Sequence, residues 1–166
     1  VTGLPVYFNK EDVAKFRGDV FKASSAVPAM CKPIEIDGKL YFDGGISDAI
    51  PVKRAFADGC DKIVAILTRP NGYVKKPEAG KTIYSEILKE YPAIIKAMNV
   101  RHFIYNTTLK YILKLEEEGK ALVFRPDNPD GVNLITRNKE QLITLYNEGK
   151  LDTEARLNEL KAFMEM

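Results

Sequence analysis

Short β-like runs and longer helical stripes alternate along the chain, a pattern that predicts a mixed α/β fold. Near the N-terminus, Asn9 is a candidate cap for a short helical turn, because its side chain can accept the first free backbone N–H groups of a helix. Residues 19–26 have helical spacing, and Pro28 ends that helix. The side chains predicted on its inner face are Val20, Phe21 and Ala23.

The middle of the chain predicts a strand at 39–43, a helix at 51–58 and a strand at 62–68. Asp37-Gly38 supplies the turn before the first strand, and Gly59 ends the helix. Elements in this order form a βαβ unit, so we expect the two strands to pair in parallel through a right-handed crossover. The second strand is a continuous apolar run rich in β-branched residues, which is typical of a strand covered on both faces.

The second half of the chain is mostly helical. Apolar stripes predict a short helix with Tyr84, Ile87 and Leu88 inward, then a helical span from Pro92 that is either continuous or broken near residues 99–106. That span is apolar enough to pack on the sheet or to cover a lipid-sized cavity. The remaining predictions are a buried strand at 121–125, a turn at 126–131, a helix from Asn138 to Gly149, and a helix at 151–166 with Leu157, Leu160, Phe163 and Met164 inward.

Composition narrows the class of protein. With 166 residues, 45% of them hydrophobic and 29% charged, the chain predicts a soluble globular domain. The net charge of +2 is too small to indicate nucleic-acid binding, and no apolar run approaches the ~20 residues of a membrane span. Cys31 and Cys60 are too few and too far apart for a disulfide framework or a metal site, so we expect reduced, near-core cysteines and a cytoplasmic protein.

The strongest candidate for chemistry is Asp43-Gly44-Gly45. Asp43 follows the apolar pair Tyr41 and Phe42 at the end of a predicted strand, with two glycines behind it. A carboxylate in this position can be partly withdrawn from water while the flexible backbone approaches a ligand. Asp-Gly pairs also occur in ordinary turns, so a plain turn remains the alternative interpretation.

A longer set of residues around this turn resembles the patatin-like phospholipases. The set comprises Ala-Ser-x-Ala-x-Pro at 23–28, Pro33, Ile36-Asp37-Gly38, Tyr41, Asp43-Gly44-Gly45 and Pro51. The resemblance implies a three-layer α/β/α fold with a mostly parallel sheet, and a two-residue Ser–Asp site in which Asp43 is the catalytic carboxylate. The residues then expected to line the site are Gly44, Gly45, Ser24, Ser25 and Pro28.

The nucleophile that this resemblance requires is absent from the sequence. In the family, the serine lies in a Gly-x-Ser-x-Gly elbow and the oxyanion hole in a glycine-rich loop, both upstream of the Asp. The serines of this chain lie outside such a frame: Ser24, Ser25, Ser47 and Ser85. The resemblance therefore implies that residues 1–166 are the C-terminal portion of a single acyl hydrolase domain, inactive alone, whose uncovered sheet edge favours self-association.

The implied reaction is hydrolysis of lipid or other acyl esters, with transient contact to a membrane surface and without a cofactor or metal. His102 is the only histidine, and no neighbouring carboxylate in helical register orients it. It is therefore interpreted as structural or exposed, which agrees with a family mechanism that uses no histidine.

Asp48 stands where the family often has Asn and is a candidate helix cap. The alternative function is a non-catalytic α/β binding or interaction module in which Asp43-Gly44-Gly45 is only a turn.

Overall fold

The computed structural model describes residues 1–127, 132 and 136–165. Of the turn predicted at 126–131, residues 128–131 lie outside the described part. The elements in chain order are α1 (Lys10–Lys15), α2 (Asp19–Ser24), β1 (Ile34–Ile36), β2 (Lys39–Tyr41), a 3-10 turn (Gly44–Ile46), α3 (Val52–Ala57), β3 (Ile63–Ile66), α4 (Lys81–Ile87), α5 (Pro92–Glu117), β4 (Ala121–Phe124), α6 (Lys139–Ala155) and α7 (Leu157–Glu165).

The fold is mixed α/β, as predicted, and the described residues form one antiparallel and one parallel pair of strands. β1 and β2 form a hairpin in which Ile36 pairs with Lys39. The connecting Asp37 and Gly38 have φ angles of 52° and 73°, which a two-residue turn between antiparallel strands requires. In the parallel pair, Ile63 of β3 pairs with Ala121 of β4.

The predicted parallel pairing of the strands at 39–43 and 62–68 is wrong, because each strand has a different partner. The Asp37-Gly38 turn returns the chain at once and places Ile34–Ile36 beside β2, a local contact that costs little loop-closure entropy. Helix α3 does lie between the two strands in sequence, within the range predicted for it.

The chain divides into two compact units, the first formed by Val1–Pro51 and Lys75–Leu109 and the second by the described residues of Val52–Val74 and Lys110–Met166. In the first unit, α1 is capped by Asn9, whose side chain accepts the N–H of Asp12 while the Asp12 carboxylate accepts that of Asn9. The cap predicted from the sequence is thereby confirmed.

The core of the first unit joins the Asp43 region to the helices α4 and α5. Its buried residues are Phe42, Ile46, Tyr84, Leu88, Ile94 and Met98. The rings of Phe42 and Tyr91 meet edge to face, with their centroids 5.2 Å apart. Two side chains predicted to point inward, Phe21 and Ile87, are exposed instead. Both lie on helices of six or seven residues, which are too short for more than a narrow stripe to be covered.

Helix α5 is continuous over 26 residues, so the alternative of a break near 99–106 does not hold. The reason is local, since the sequence from Ala93 to Glu117 contains no proline or glycine. Ile94 and Met98 are buried in the first unit, while Ile112 and Leu115 are buried in the second. The apolar stripe of this helix therefore serves core packing.

In the second unit, β4 is buried at all four positions, as predicted, whereas β3 is covered on one face only. Ala65 is buried, but Val64 and Ile66 are 41% and 79% exposed, so the expectation of cover on both faces is wrong. Val64 and Ile66 line a second cavity of about 710 Å³.

Three further expectations need correction. Helix α6 begins after Asn138, whose side chain accepts the N–H groups of Glu140 and Gln141, but it continues past Gly149 to Ala155. A glycine inside a helix costs only about 1 kcal/mol, which the rest of the helix tolerates. Leu157 and Met164, both predicted to face inward, are 41% and 74% exposed on the short helix α7. Cys31 and Cys60 are free, as expected, but both are exposed rather than near the core.

Candidate active site

A cavity of about 990 Å³ lies in the first unit beside the Asp43 turn. Its walls come from the N-terminal segment, from α2, from the β1–β2 hairpin and from the turn itself. Most of the lining side chains are apolar, among them Leu4, Val6, Phe8, Phe21, Leu40 and Phe42. Asp43 and Asp48 bring carboxylates to this apolar wall. A mostly apolar cavity with few polar groups is the usual form of a small-molecule site.

The position of Asp43 follows from the hairpin. Strand β2 ends at Tyr41, Phe42 is buried in the core, and Asp43 comes next, half-buried, with its own N–H donating to the Ala26 carbonyl at 3.0 Å. The Asp43 side chain caps the 3-10 turn, because Oδ1 accepts the Gly45 N–H at 2.7 Å. No hydrogen bond from the described residues reaches Oδ2. One carboxylate oxygen is thus held by the backbone, and the other has no such contact among the described residues.

Of the remaining residues predicted for the site, some line the cavity and others do not. Gly44 and Gly45 follow Asp43 in the cavity wall, and Ser24 also lines the cavity. A methyl group added at Gly44 would lie 4.0 Å from the Ser24 hydroxyl, so this serine is adjacent to the turn. Ser25 is exposed and Pro28 is buried, and neither is among the residues that line the cavity.

Sequence reasoning missed Arg101, a residue of α5 that contacts the Asp43 turn. Its Nε donates to the Gly45 carbonyl at 2.6 Å, and a terminal nitrogen pairs with Glu78 at 2.6 Å. Glu78 also pairs with Lys75 at 2.9 Å. Arg101 and Gly45 are 56 positions apart, and no motif spacing connects them. The contact could be found only from the folded chain.

The charge of Glu78 is set by this network. Burial raises the pKa of its carboxyl group, but hydrogen bonds and positive charge from Lys75 and Arg101 oppose burial and prevail, so the pKa lies below the ordinary value of 4.5. Glu78 is therefore a carboxylate at neutral pH and keeps Arg101 paired.

Asp48 has a different contact from the helix cap expected of it. Its Oδ2 accepts a hydrogen bond from the Tyr7 hydroxyl at 2.5 Å. Tyr7 belongs to the N-terminal segment that forms one wall of the cavity, and the ring of its neighbour Phe8 packs against that of Tyr41, with centroids 5.5 Å apart. The N-terminal wall is therefore attached to the turn on one side and to β2 on the other.

His102 is half-buried on α5 and does not line the cavity. Its Nδ1 is buried without a hydrogen-bond partner among the described residues, so no carboxylate orients the ring as a catalytic triad would require.

Among the described residues, no group of three or more His, Cys, Asp or Glu side chains comes together as a metal site. Over the same residues, no helix combines the length and apolarity needed to cross a membrane.

Comparison with known proteins divides the chain into two matched stretches. Residues 13–56 match the family model of the patatin-like phospholipases, a stretch that contains Asp43 and the whole turn. Residues 91–165 match a domain of unknown function, DUF6363. The uncharacterized protein YjjU of Escherichia coli (strain K12) is 44% identical over 61 residues, which are 36% of this chain and 17% of that protein. The matched region thus spans about a sixth of the relative's length.

Proposed function

We propose that this chain carries the carboxylate part of a patatin-like Ser–Asp acyl hydrolase site, with Asp43 as the general base. The observation that carries the proposal is the setting of Asp43. It is half-buried, oriented by the Gly45 N–H, and placed on the wall of a largely apolar cavity of about 990 Å³. The family match at 13–56 covers this turn and supports the same chemistry.

In this proposal, the nucleophilic serine comes from a segment outside the 166 residues. Two facts support that origin: the sequence contains no Gly-x-Ser-x-Gly elbow, and the matched region covers 17% of the relative's length. Residues 1–166 then form the C-terminal portion of one acyl hydrolase domain, with the three-layer α/β/α arrangement completed by the other segment.

The reaction proceeds by acyl transfer. Asp43 accepts the proton of the serine hydroxyl, directly or through an ordered water, as the serine oxygen attacks the ester carbonyl. The ester C–O bond breaks, and Asp43 returns the proton to the leaving alcohol. Asp43 then takes a proton from a water molecule as its oxygen attacks the acyl carbonyl. The bond to the serine oxygen breaks, Asp43 returns the proton to the serine, and the carboxylic acid is released. The step needs no histidine, in agreement with the position of His102 outside the cavity.

The substrates proposed are lipid or other acyl esters, because apolar side chains from three parts of the first unit line the cavity. Transient contact with a membrane surface would deliver such substrates. Self-association is the other interaction proposed, since Val64 and Ile66 of β3 expose apolar side chains.

The test begins with intact-mass analysis after fluorophosphonate treatment of this chain and of the longer protein that includes the upstream segment. Labelling of the longer protein alone, lost when its elbow serine is replaced, is the expected result. Asp43→Asn in the longer protein should lower kcat by about 100- to 10,000-fold, because the general base is lost while the shape is kept.

Asp37→Asn is the matched control. Asp37 is an exposed hairpin residue with a φ of 52°, a conformation that Asn also adopts readily. Stoichiometric labelling of the 166-residue chain would make one of its own serines the nucleophile and overturn the assignment. Absence of label on both proteins would favour the binding-module alternative.

A further inference from the structure

We propose that Arg101 is a positioning residue for the Asp43 carboxylate, acting through the backbone of Gly45; this inference rests on the proposed function of Asp43. The two residues belong to stretches that match different families, since Gly45 lies within 13–56 and Arg101 within 91–165. The hydrogen bond between them is short, at 2.6 Å, and part-buried.

Gly45 is held at both of its backbone polar groups. Its N–H donates to Asp43 Oδ1 at 2.7 Å, and its carbonyl accepts from Arg101 Nε at 2.6 Å. Since a glycine has the widest choice of φ and ψ of any residue, fixing both groups removes freedom that no side chain would otherwise restrict. By fixing the Gly45 carbonyl, Arg101 also fixes the direction of the Gly45 N–H, which orients the Asp43 carboxylate.

Arg101 is itself braced by its neighbours. Glu78 accepts from one of its terminal nitrogens at 2.6 Å, and Lys75 pairs with the same carboxylate oxygen at 2.9 Å. The backbone of Lys75 is tied to the Asn106 side chain by two hydrogen bonds, of 2.8 and 3.0 Å. Both Arg101 and Asn106 belong to α5, so one rigid helix supports the arginine and the segment that carries its partner.

An arginine suits this position better than a lysine. Its planar guanidinium presents several N–H groups in fixed directions, so one side chain bonds a carbonyl and a carboxylate at once. A lysine can reach Glu78 with its charge, but its single rotating ammonium does not hold the Gly45 carbonyl in a fixed direction. Arg101 lies outside the cavity lining, which separates positioning from direct contact with a substrate.

The first measurement tests the geometry without any need for activity. Nitrogen-15 glycine labelling of the 166-residue chain places a probe on each of its 11 glycines, including Gly45. Arg101→Gln should raise the hydrogen-exchange rate of the Gly45 amide by about tenfold, and Arg101→Lys by less, because the charge is kept and the fixed fork is lost. Circular dichroism and thermal midpoints establish that the variants fold.

Arg125→Gln is the matched control. Arg125 pairs with Glu116 at 2.8 Å with side-chain exposures of 19% and 33%, close to the 27% and 27% of Arg101 and Glu78. It belongs to the second unit and should leave Gly45 exchange unchanged. Unchanged Gly45 exchange in Arg101→Gln would overturn the inference. An equal increase in Arg101→Gln and in the control Arg125→Gln would also overturn it.

The second measurement uses the longer protein that contains the nucleophile. Arg101→Gln should lower kcat about 10- to 100-fold with KM nearly unchanged, because a small misplacement of the base slows chemistry without removing substrate contacts. Arg101→Lys should recover part of kcat, and Arg125→Gln should behave as wild type. A purely structural role would instead lower the thermal midpoint and the amount of active enzyme, with kcat per labelled serine unchanged, and would overturn the inference.

The two proposals fail in different ways. If the wild-type longer protein neither labels nor hydrolyses esters, the proposed function is wrong, while the Gly45 exchange result still decides whether Arg101 positions the turn. If the wild type is active and Arg101→Gln keeps its kcat, the function stands and the positioning role is overturned.

Discussion

The Asp43 carboxylate is oriented by the backbone N–H of Gly45, two residues further along the chain, over a distance of 2.7 Å. The orienting group therefore belongs to the same turn as the acid, whereas a catalytic triad uses a separate side chain for this purpose. A side chain added at Gly45 would therefore crowd the carboxylate that the Gly45 N–H orients.

Gly45→Ala should displace the carboxylate. An added Cβ would lie 3.0 Å from Asp43 Oδ1 and 3.7 Å from a terminal nitrogen of Arg101, so the carboxylate has to shift by a few tenths of an ångström. We expect kcat in the longer protein to fall by about 10- to 100-fold, because the proposed base would move away from its proton donor. Steady-state kinetics on a short-chain ester measures the effect.

Gly44→Ala provides the comparison for this experiment. Its added Cβ would meet only the Ser24 hydroxyl, at 4.0 Å, which is ordinary van der Waals contact. The loss of kcat should therefore be the smaller of the two. Equal losses in both variants would show that backbone flexibility of the turn, rather than crowding of the carboxylate, sets the rate.

Glu78 should make the free energy of unfolding depend on pH in the acid range. Its pKa in the folded chain lies below 4.5, so its stabilising contribution is fully present above pH 4.5 and is lost as the pH falls through the lowered folded pKa. Glu78→Gln should accordingly destabilise the protein at pH 7, and its difference from wild type should narrow as the pH falls below 4.5. Urea denaturation across this pH range measures both curves.

The control for the pH experiment is Glu86→Gln. Glu86 also pairs with a lysine, Lys89, at 2.9 Å, but its side chain is 75% exposed. Exposed ion pairs contribute little to stability, so the pH dependence should stay close to that of the wild type. A Glu78→Gln curve parallel to the wild-type curve would contradict the prediction.

Tyr7→Phe should loosen the N-terminal wall of the cavity. The change removes the hydroxyl that donates to Asp48 and keeps the ring. Because Tyr7 is 38% exposed, we expect a loss of only about 1 kcal/mol in the free energy of unfolding. Tyr146→Phe, at a tyrosine 72% exposed in the second unit, is the matched control and should be neutral. Equal stability of the two variants would exclude a holding role for the Tyr7 hydroxyl.

Ile66→Lys should reduce self-association of the 166-residue chain. Ile66 of β3 is 79% exposed, and a charge there opposes the burial that association requires. Light scattering over a concentration series should show oligomers for the wild type and a shift towards monomer for the variant. Ile83→Lys changes an isoleucine 69% exposed on α4 and should leave the distribution as it was. A wild type that is monomeric at every concentration would contradict the prediction.

The local features of the fold were accessible from the sequence because each depends on neighbouring residues. The Asn9 cap, the Asp37-Gly38 turn and the bounds of α3 all follow from side chains within four positions of the feature. The mixed α/β class follows in the same way, from the alternation of strand and helix patterns.

Features that depend on distant residues were missed or mistaken. The predicted pairing of β2 with β3 was wrong. The βαβ pattern takes no account of the Asp37-Gly38 turn, which already pairs β2 with β1. The apolar run of β3 indicated two covered faces, although hydrophobicity alone does not provide a covering element. Asp43 was singled out by its motif, while Arg101 had no local pattern to mark it.

Helix α5 also bears on where the protein can be divided. The match to the domain of unknown function begins at residue 91, yet Ile94 and Met98 complete the same core as Phe42 and Ile46. A fragment ending at residue 90 would expose that core to water and remove Arg101 from the turn. The start of the DUF6363 match is therefore an unsuitable end point for an expressed fragment. The first turns of that stretch belong to the compact unit that holds Asp43.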